Sequence, residues 1–189
     1  MSEQELIQHL KQKDEPAFRW LVENYRNRVF NTVLTILQDT KEAEDAAQET
    51  FIQVFESITT FKAASSLSTW IYQIAVNKAL EKIRKQKAKK RLQIFLPWWM
   101  PAEEKSSEAL FQHPGIAMEK KEKAAILFKA IASLPDKQRL AFTLIKVQGM
   151  NYEEACIILQ QNVKAVESLI GRAKINLQKK LEQDYPNLK

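Results

Sequence analysis

The chain has 189 residues, a formal net charge of +6, 45% hydrophobic residues, three glycines, six prolines and one cysteine. These figures exclude general disorder, and the lone Cys156 excludes an internal disulfide or a cysteine-based metal cluster. His9 and His113 are far apart and lack ligand-like neighbours, which speaks against zinc.

Such a length allows one ordinary domain or two small ones, and the scarcity of glycine and proline favours long helices. Two domains of roughly 80 residues each would be individually marginal, so helix packing and partners would matter to their stability. No apolar run approaches the roughly 20 residues of a membrane span, and the N-terminus is too polar for a signal peptide. A reduced, soluble, cytoplasmic protein is expected.

Ser2-Glu3-Gln4-Glu5 has capping-box spacing and opens a short helix. Pro16 marks the first turn of the next, on which Phe18, Leu21, Val22, Tyr25, Val29, Val33, Ile36 and Leu37 recur at helical spacing. Asp39, with Glu42 three residues on, predicts a further N-cap. On the helix that follows, Ala47, Phe51, Val54, Phe55 and Ile58 share one face, and Glu42, Asp45, Glu49, Gln53 and Glu56 the opposite one. Like charges this close, without interleaved lysines, destabilise a helix slightly. They are either simply solvated or met by a basic partner.

After a loop over residues 59–66, a long helix is predicted from about Leu67 to Arg91. Ile71, Tyr72, Ala75, Val76, Ala79, Leu80 and Ile83 form its core side. Trp70, Gln73, Asn77, Lys78, Glu81 and Arg84 form the other. The positive charge of the chain concentrates in residues 78–91, where Glu81 is the only acid. A tryptophan amid polar residues suits base stacking, an asparagine can pair with a base edge, and the cations can hold phosphates. The alternative is that Trp70 packs against a neighbouring helix and the cations are merely solvated.

Pro97, Pro101, Pro114 and Gly115 interrupt the pattern over residues 92–121, which read as a linker. Its apolar Phe95-Leu96-Pro97-Trp98-Trp99-Met100 suits either an anchor on a partner or packing between domains. Helical periodicity returns at about Lys121. Pro135 starts another helix, with Asp136 against its N-terminal dipole, and Gly149 ends it. A short helix over Tyr152–Leu159, a turn at Gln160-Gln161-Asn162 and a last helix to about Leu181 read as a helix-turn-helix. On that last helix Val163, Val166, Leu169, Ile170, Ala173 and Leu177 make the apolar stripe. Lys164, Ser168 and Arg172 face away together, so they are the candidates for a DNA groove, unless the helices belong to an unrelated bundle. Gly171 lies in the helix interior, and Cys156 reads as core filler. The predicted architecture is all-α, two small helical domains joined by a flexible linker.

Ser66-Leu67-Ser68-Thr69-Trp70-Ile71-Tyr72-Gln73-Ile74-Ala75-Val76-Asn77 and Ala43-Glu44-Asp45-Ala46-Ala47-Gln48-Glu49-Thr50-Phe51 resemble region 2 of the extracytoplasmic-function sigma factors of bacterial RNA polymerase. Leu134-Pro135-x-x-x-Arg139 and Tyr152-Glu153-Glu154-Ala155 resemble region 4 of the same family. The resemblance implies a region 2 domain over residues 1–91, the linker 92–121 and a region 4 domain over 122–189. It implies contacts from Asp45, Gln48 and Glu49 to the clamp helices of the polymerase largest subunit. It further implies −10 contacts from the loop residues Lys62, Ser65 and Ser66 and from Trp70, Asn77, Lys78 and Arg84. Lys164, Ser168 and Arg172 would read the −35 element.

Gln73 and Val76 stand where family members often carry arginine, so phosphate grip there is expected to be weaker. Glu81 replaces the usual aspartate. Gln160 replaces the usual turn glycine, and Glu167 and Leu169 stand where lysine and arginine are common. The implied function is promoter recognition and opening for core polymerase, with no cofactor and no catalysis. For the linker, polymerase contact and docking of an anti-sigma protein are both open. Free protein is expected to bind DNA weakly, because unstacking bases draws on the affinity of the whole assembly. An autonomous helix-turn-helix regulator would leave the acidic face and Trp70 without purpose. An enzyme lacks any phosphate loop or nucleophile-base pair here, and loss of function on reversing Lys82 and Arg84 to glutamate, with folding intact, would argue against a protein-only adaptor.

Overall fold

The structure is a computed structural model that describes residues 2–93 and 118–185. Helices account for every regular element among them, and no strand is present, so the protein is all-α. The apolar segment Phe95–Met100 lies outside the described residues.

Local chemistry sets the helix starts. Helix α1 (Glu3–Lys11) carries the expected capping box between Ser2 and Glu5. Helix α2 (Glu15–Leu37) has Pro16 in its first turn and ends on Gln38, whose φ of 58° is left-handed. Helix α3 (Thr40–Ser57) is capped by Asp39, which accepts from the Glu42 N–H at 3.0 Å. Helix α4 (Leu67–Gln93) starts at Ser66, whose hydroxyl accepts from the Thr69 N–H at 3.2 Å.

Leu21, Val29, Val33 and Ile36 of α2 are buried, as are Ala43, Ala46 and Val54 of α3 and Ala75, Val76 and Ala79 of α4. The buried Thr32, Thr35 and Thr50 each return their hydroxyl to the carbonyl four residues back at 2.7 Å, which satisfies it without an outside partner. Phe55 differs from Phe51, Val54 and Ile58, which share its face and are buried. It is exposed at the end of α3, edge-on to Phe18 at 5.0 Å, with the Lys13 ammonium over its ring at 4.1 Å.

The C-terminal helices are α5 (Met118–Ala132), α6 (Asp136–Phe142), α7 (Tyr152–Leu159) and α8 (Val163–Asp184). Ala130, Ile131 and Leu134 pack on Ala173 and Leu177, with Phe142 and Leu181 against them. Between α6 and Gly149 the chain widens into a π-helical turn, Thr143–Val147, which periodicity did not predict. That change of phase lets three consecutive residues, Thr143, Leu144 and Ile145, all be buried. Arg139 is largely buried and structural. Its guanidinium donates to the Ala132 carbonyl at 2.8 Å and to Asp136 at 3.1 Å, tying the end of α5 to the start of α6.

By contact the described residues form two units. One comprises the chain through Ala63 together with α4 from Ile74. The other comprises Ala64–Gln73 with the C-terminal helices, and within it the Thr69 hydroxyl donates to Glu154 at 3.2 Å. The first turns of α4 therefore group differently from the sequence-based boundary at residue 91.

Candidate protein-docking and nucleic-acid interfaces

The outer face of α3 is acidic, and its carboxylates are organised. The Lys82 ammonium lies 3.2 Å from Glu42, 3.4 Å from Glu49 and 3.9 Å from Asp45. Lys78 reaches Glu49 at 4.0 Å. The basic partner that the acidic face calls for is thus supplied first by α4 of the same chain. Burial works against the charge on Lys82, yet its hydrogen bonds and ionic contacts with Glu42 and Glu49 outweigh that and hold the ammonium above its ordinary pKa. The arrangement is lopsided, with the Lys82 side chain only 14% exposed while Asp45 and Glu49 remain 54% and 47% exposed. The carboxylates can therefore take further donors from outside.

Gln48 is exposed on the neighbouring stripe, and Ile52 lies between Gln48 and the acids. Ile52 is seven residues after Asp45, three after Glu49 and four before Glu56, which places all four on one side of the helix. At 57% exposure it is an aliphatic side chain open to solvent in a charged face, which the acidic pattern had obscured. Beside it, between α2 and α3, runs a groove of about 490 Å³ with Val22, Phe30, Ala47 and Phe51 in its walls and Arg26 and Gln48 among its polar lining.

On α4, Trp70, Asn77 and Arg84 recur every seven residues, so they follow one stripe of a continuous helix. Asn77 and Arg84 are exposed and Trp70 is half-buried. Lys78 lies about 100° around the helix from Asn77, and its ammonium goes to Glu49. In the preceding loop Lys62 is exposed and Ala63 adopts a left-handed φ of 53°. Ser65 donates to the Ser66 carbonyl at 3.4 Å. Ser66 is occupied by the helix start, with Ser68 and Thr69 hydroxyls also at 2.9 and 2.8 Å. It shapes the entry to α4 at least as much as it presents a free hydroxyl.

The helix-turn-helix forms as α7, a turn and α8. Asn151 and Glu154 make a capping box at the start of α7, and Asn162 caps α8 through the Ala165 N–H at 2.9 Å. Gln160, which stands where glycine is usual, takes the left-handed conformation at φ 52° all the same. Val166, Ile170, Ala173 and Leu177 are the buried stripe of α8, while Val163, expected with them, is exposed at the first position. Cys156 is a free thiol, half-buried on α7. Lys164, Ser168 and Arg172 are all exposed along one line, with Arg172 folded back on the Ser168 hydroxyl at 2.9 Å.

Gly171 is exposed beside that line, and a Cβ built there meets nothing within 4 Å. No packing reason inside the chain requires glycine. Gly171→Ala is therefore expected to stabilise the protein by about 1 kcal/mol through helix propensity, seen as a higher Tm in thermal unfolding.

No set of His, Cys, Asp or Glu among the described residues is arranged to hold a metal ion. No described helix is long and apolar enough to cross a membrane.

Comparison with known proteins places the chain in a family. Residues 21–89 match Sigma-70 region 2, and residues 124–177 match Sigma-70, region 4. The chain is 30% identical to the ECF RNA polymerase sigma-E factor of Haemophilus influenzae, covering 96% of both chains. It is 29% identical to the ECF RNA polymerase sigma factor SigW of Bacillus subtilis, over 93% of this chain and 94% of that one. In fold it is similar to CnrH, solved in complex with the cytosolic domain of CnrY, at a TM-score of 0.69 and 21% identity over 95% of this chain and 96% of that one. It is also similar to RpoE of Bartonella quintana, solved with the anti-sigma factor NepR, at 0.68 and 22% over 88% and 98%.

The helical fold and the paired region 2 and region 4 matches define a bacterial transcription initiation factor. The chain belongs to the ECF group of RNA polymerase sigma factors. It binds core RNA polymerase and directs promoter-specific initiation through −10 and −35 recognition.

Proposed function

We propose that the three exposed faces divide this work. Asp45, Gln48 and Glu49, with Ile52 among them, dock on the clamp helices of the polymerase largest subunit. The α4 stripe of Trp70, Asn77 and Arg84 takes the −10 element, with Lys62, Ser65, Ser66 and Lys78 flanking it. Lys164, Ser168 and Arg172 of α8 take the −35 element in the major groove. Residues 1–91 serve as the docking and −10 domain, 92–121 as the linker and 122–189 as the −35 domain.

The protein works in the cytoplasm and catalyses no covalent step; polymerase does the chemistry. Family membership also brings an anti-sigma protein into the proposed set of partners, as NepR is for the Bartonella RpoE.

The observation that carries this reading is the segregation of charge and aromaticity on adjoining helices. Carboxylates open outward from α3, while a tryptophan, an asparagine and an arginine follow one stripe of α4. Carboxylates would repel a phosphate backbone and suit a basic protein surface. The stacking and cationic stripe suits single-stranded DNA.

Run-off transcription with bacterial core polymerase on a library of promoter fragments tests it. Specific initiation that depends on the protein is expected. No initiation, together with sequence-specific binding by the protein alone, would replace it with an autonomous helix-turn-helix regulator.

A further inference from the structure

Three carboxylates on one helix, at positions 42, 45 and 49, converge on a single ammonium that comes from another helix. Left to themselves, like charges one turn apart repel and their side chains spread over many rotamers. Here the cation is the covered member and the acids are the open ones, with Lys82 at 14% exposure against 36% for Glu42. With Lys78 also at Glu49, three carboxylates face two ammonium groups, so the cluster keeps one net negative charge for a partner. Lys82 lies five residues beyond Asn77 and two before Arg84 on α4. One side chain thus touches the docking face from the helix that carries the DNA stripe.

We propose that Lys82 is a positioning residue for the polymerase dock: it gathers Glu42, Asp45 and Glu49 into one fixed constellation. This rests on the reading of α3 as the polymerase dock, and adds to it a residue that touches neither polymerase nor DNA. Its action is preorganisation. Carboxylates already held in place lose less freedom when they meet a partner's basic groups, which tightens binding without adding a contact.

The test uses the full chain and bacterial core polymerase, with equilibrium affinity measured by competition against a labelled sigma factor and with Tm recorded for each variant. Lys82→Met keeps the length and the apolar stem while removing the charge. It is expected to weaken core binding about tenfold with Tm unchanged, and Lys82→Arg is expected to restore most of the affinity. A merely structural lysine would move Tm instead, and would not need a cation for rescue.

Glu49→Gln is the control on the underlying reading. If it weakens binding while Lys82→Met binds like the unaltered protein, the positioning role falls and the dock stands. If Glu49→Gln and Asp45→Asn both bind normally, the dock itself falls and takes the proposal with it. Should Lys82→Met not fold, Glu42→Gln decides, since it removes the 3.2 Å partner from a half-exposed site. Weaker binding at constant Tm supports the proposal, and unchanged binding overturns it.

Discussion

The double substitution Asp45→Asn with Glu49→Gln is expected to lower affinity for core RNA polymerase roughly a hundredfold, since each hydrogen bond to a charged group contributes about 1.5–3 kcal/mol. Both side chains are about half exposed, so folding should survive. Lys82 keeps Glu42 at 3.2 Å as its counter-ion, which avoids leaving an unpaired half-buried charge. The loss should shrink as salt rises, because long-range attraction between the acidic face and a basic surface is screened over about 10 Å at 0.1 M. Binding titrations at two ionic strengths, beside thermal melts, check both parts. Unchanged affinity at low salt would remove α3 as the docking helix.

What could be read from the sequence alone follows from the range of each interaction. Caps act over three residues. Ser2 with Glu5 and Asp39 with Glu42 therefore announced two helices that form as expected. Apolar spacing likewise located the buried side of α4, because Ile71, Ala75, Val76 and Ala79 repeat at a helical period.

Contacts that cross between helices left no such trace. The acids of α3 looked unopposed because their cation is Lys82, 33 to 40 residues further along the chain. That lysine was hidden in a basic run that reads more naturally as a phosphate grip. The ends of amphipathic stripes also misled. Phe55 and Val163 fit their stripes by spacing, but each lies towards a helix terminus, and both are exposed. The π-helical turn at Thr143–Val147 adds a residue to the period, so no template at 3.6 residues per turn could anticipate three successive buried positions. Gln160 shows the reverse case. It stands where glycine is usual, yet it takes the left-handed conformation at the turn between α7 and α8, and the chain accepts a strain of about 1–2 kcal/mol there.

Trp70→Ala is expected to cut promoter opening roughly tenfold or more while leaving core binding untouched, because stacking on an aromatic ring contributes about 1–3 kcal/mol per base. Opening requires −10 bases to leave the duplex, at a cost of a few kcal/mol, and the indole supplies a surface on which one can rest. The backbone cap at the start of α4 survives the substitution. Ser66 caps it through the Thr69 N–H, and the Trp70 N–H bonds the Ser66 carbonyl at 3.1 Å, a backbone contact that alanine retains.

Trp70→Phe keeps a smaller ring and should fall between the two. Reversing Arg84 provides the contrast: a lost phosphate contact weakens binding mainly at low salt and reduces its salt dependence, whereas a lost stacking surface should impair opening at every ionic strength. Permanganate reactivity of −10 thymines in the holoenzyme–promoter complex, measured across a salt series, separates them. Full thymine reactivity with Trp70→Ala would mean that another residue captures the unstacked bases and that Trp70 serves the packing around α4 instead.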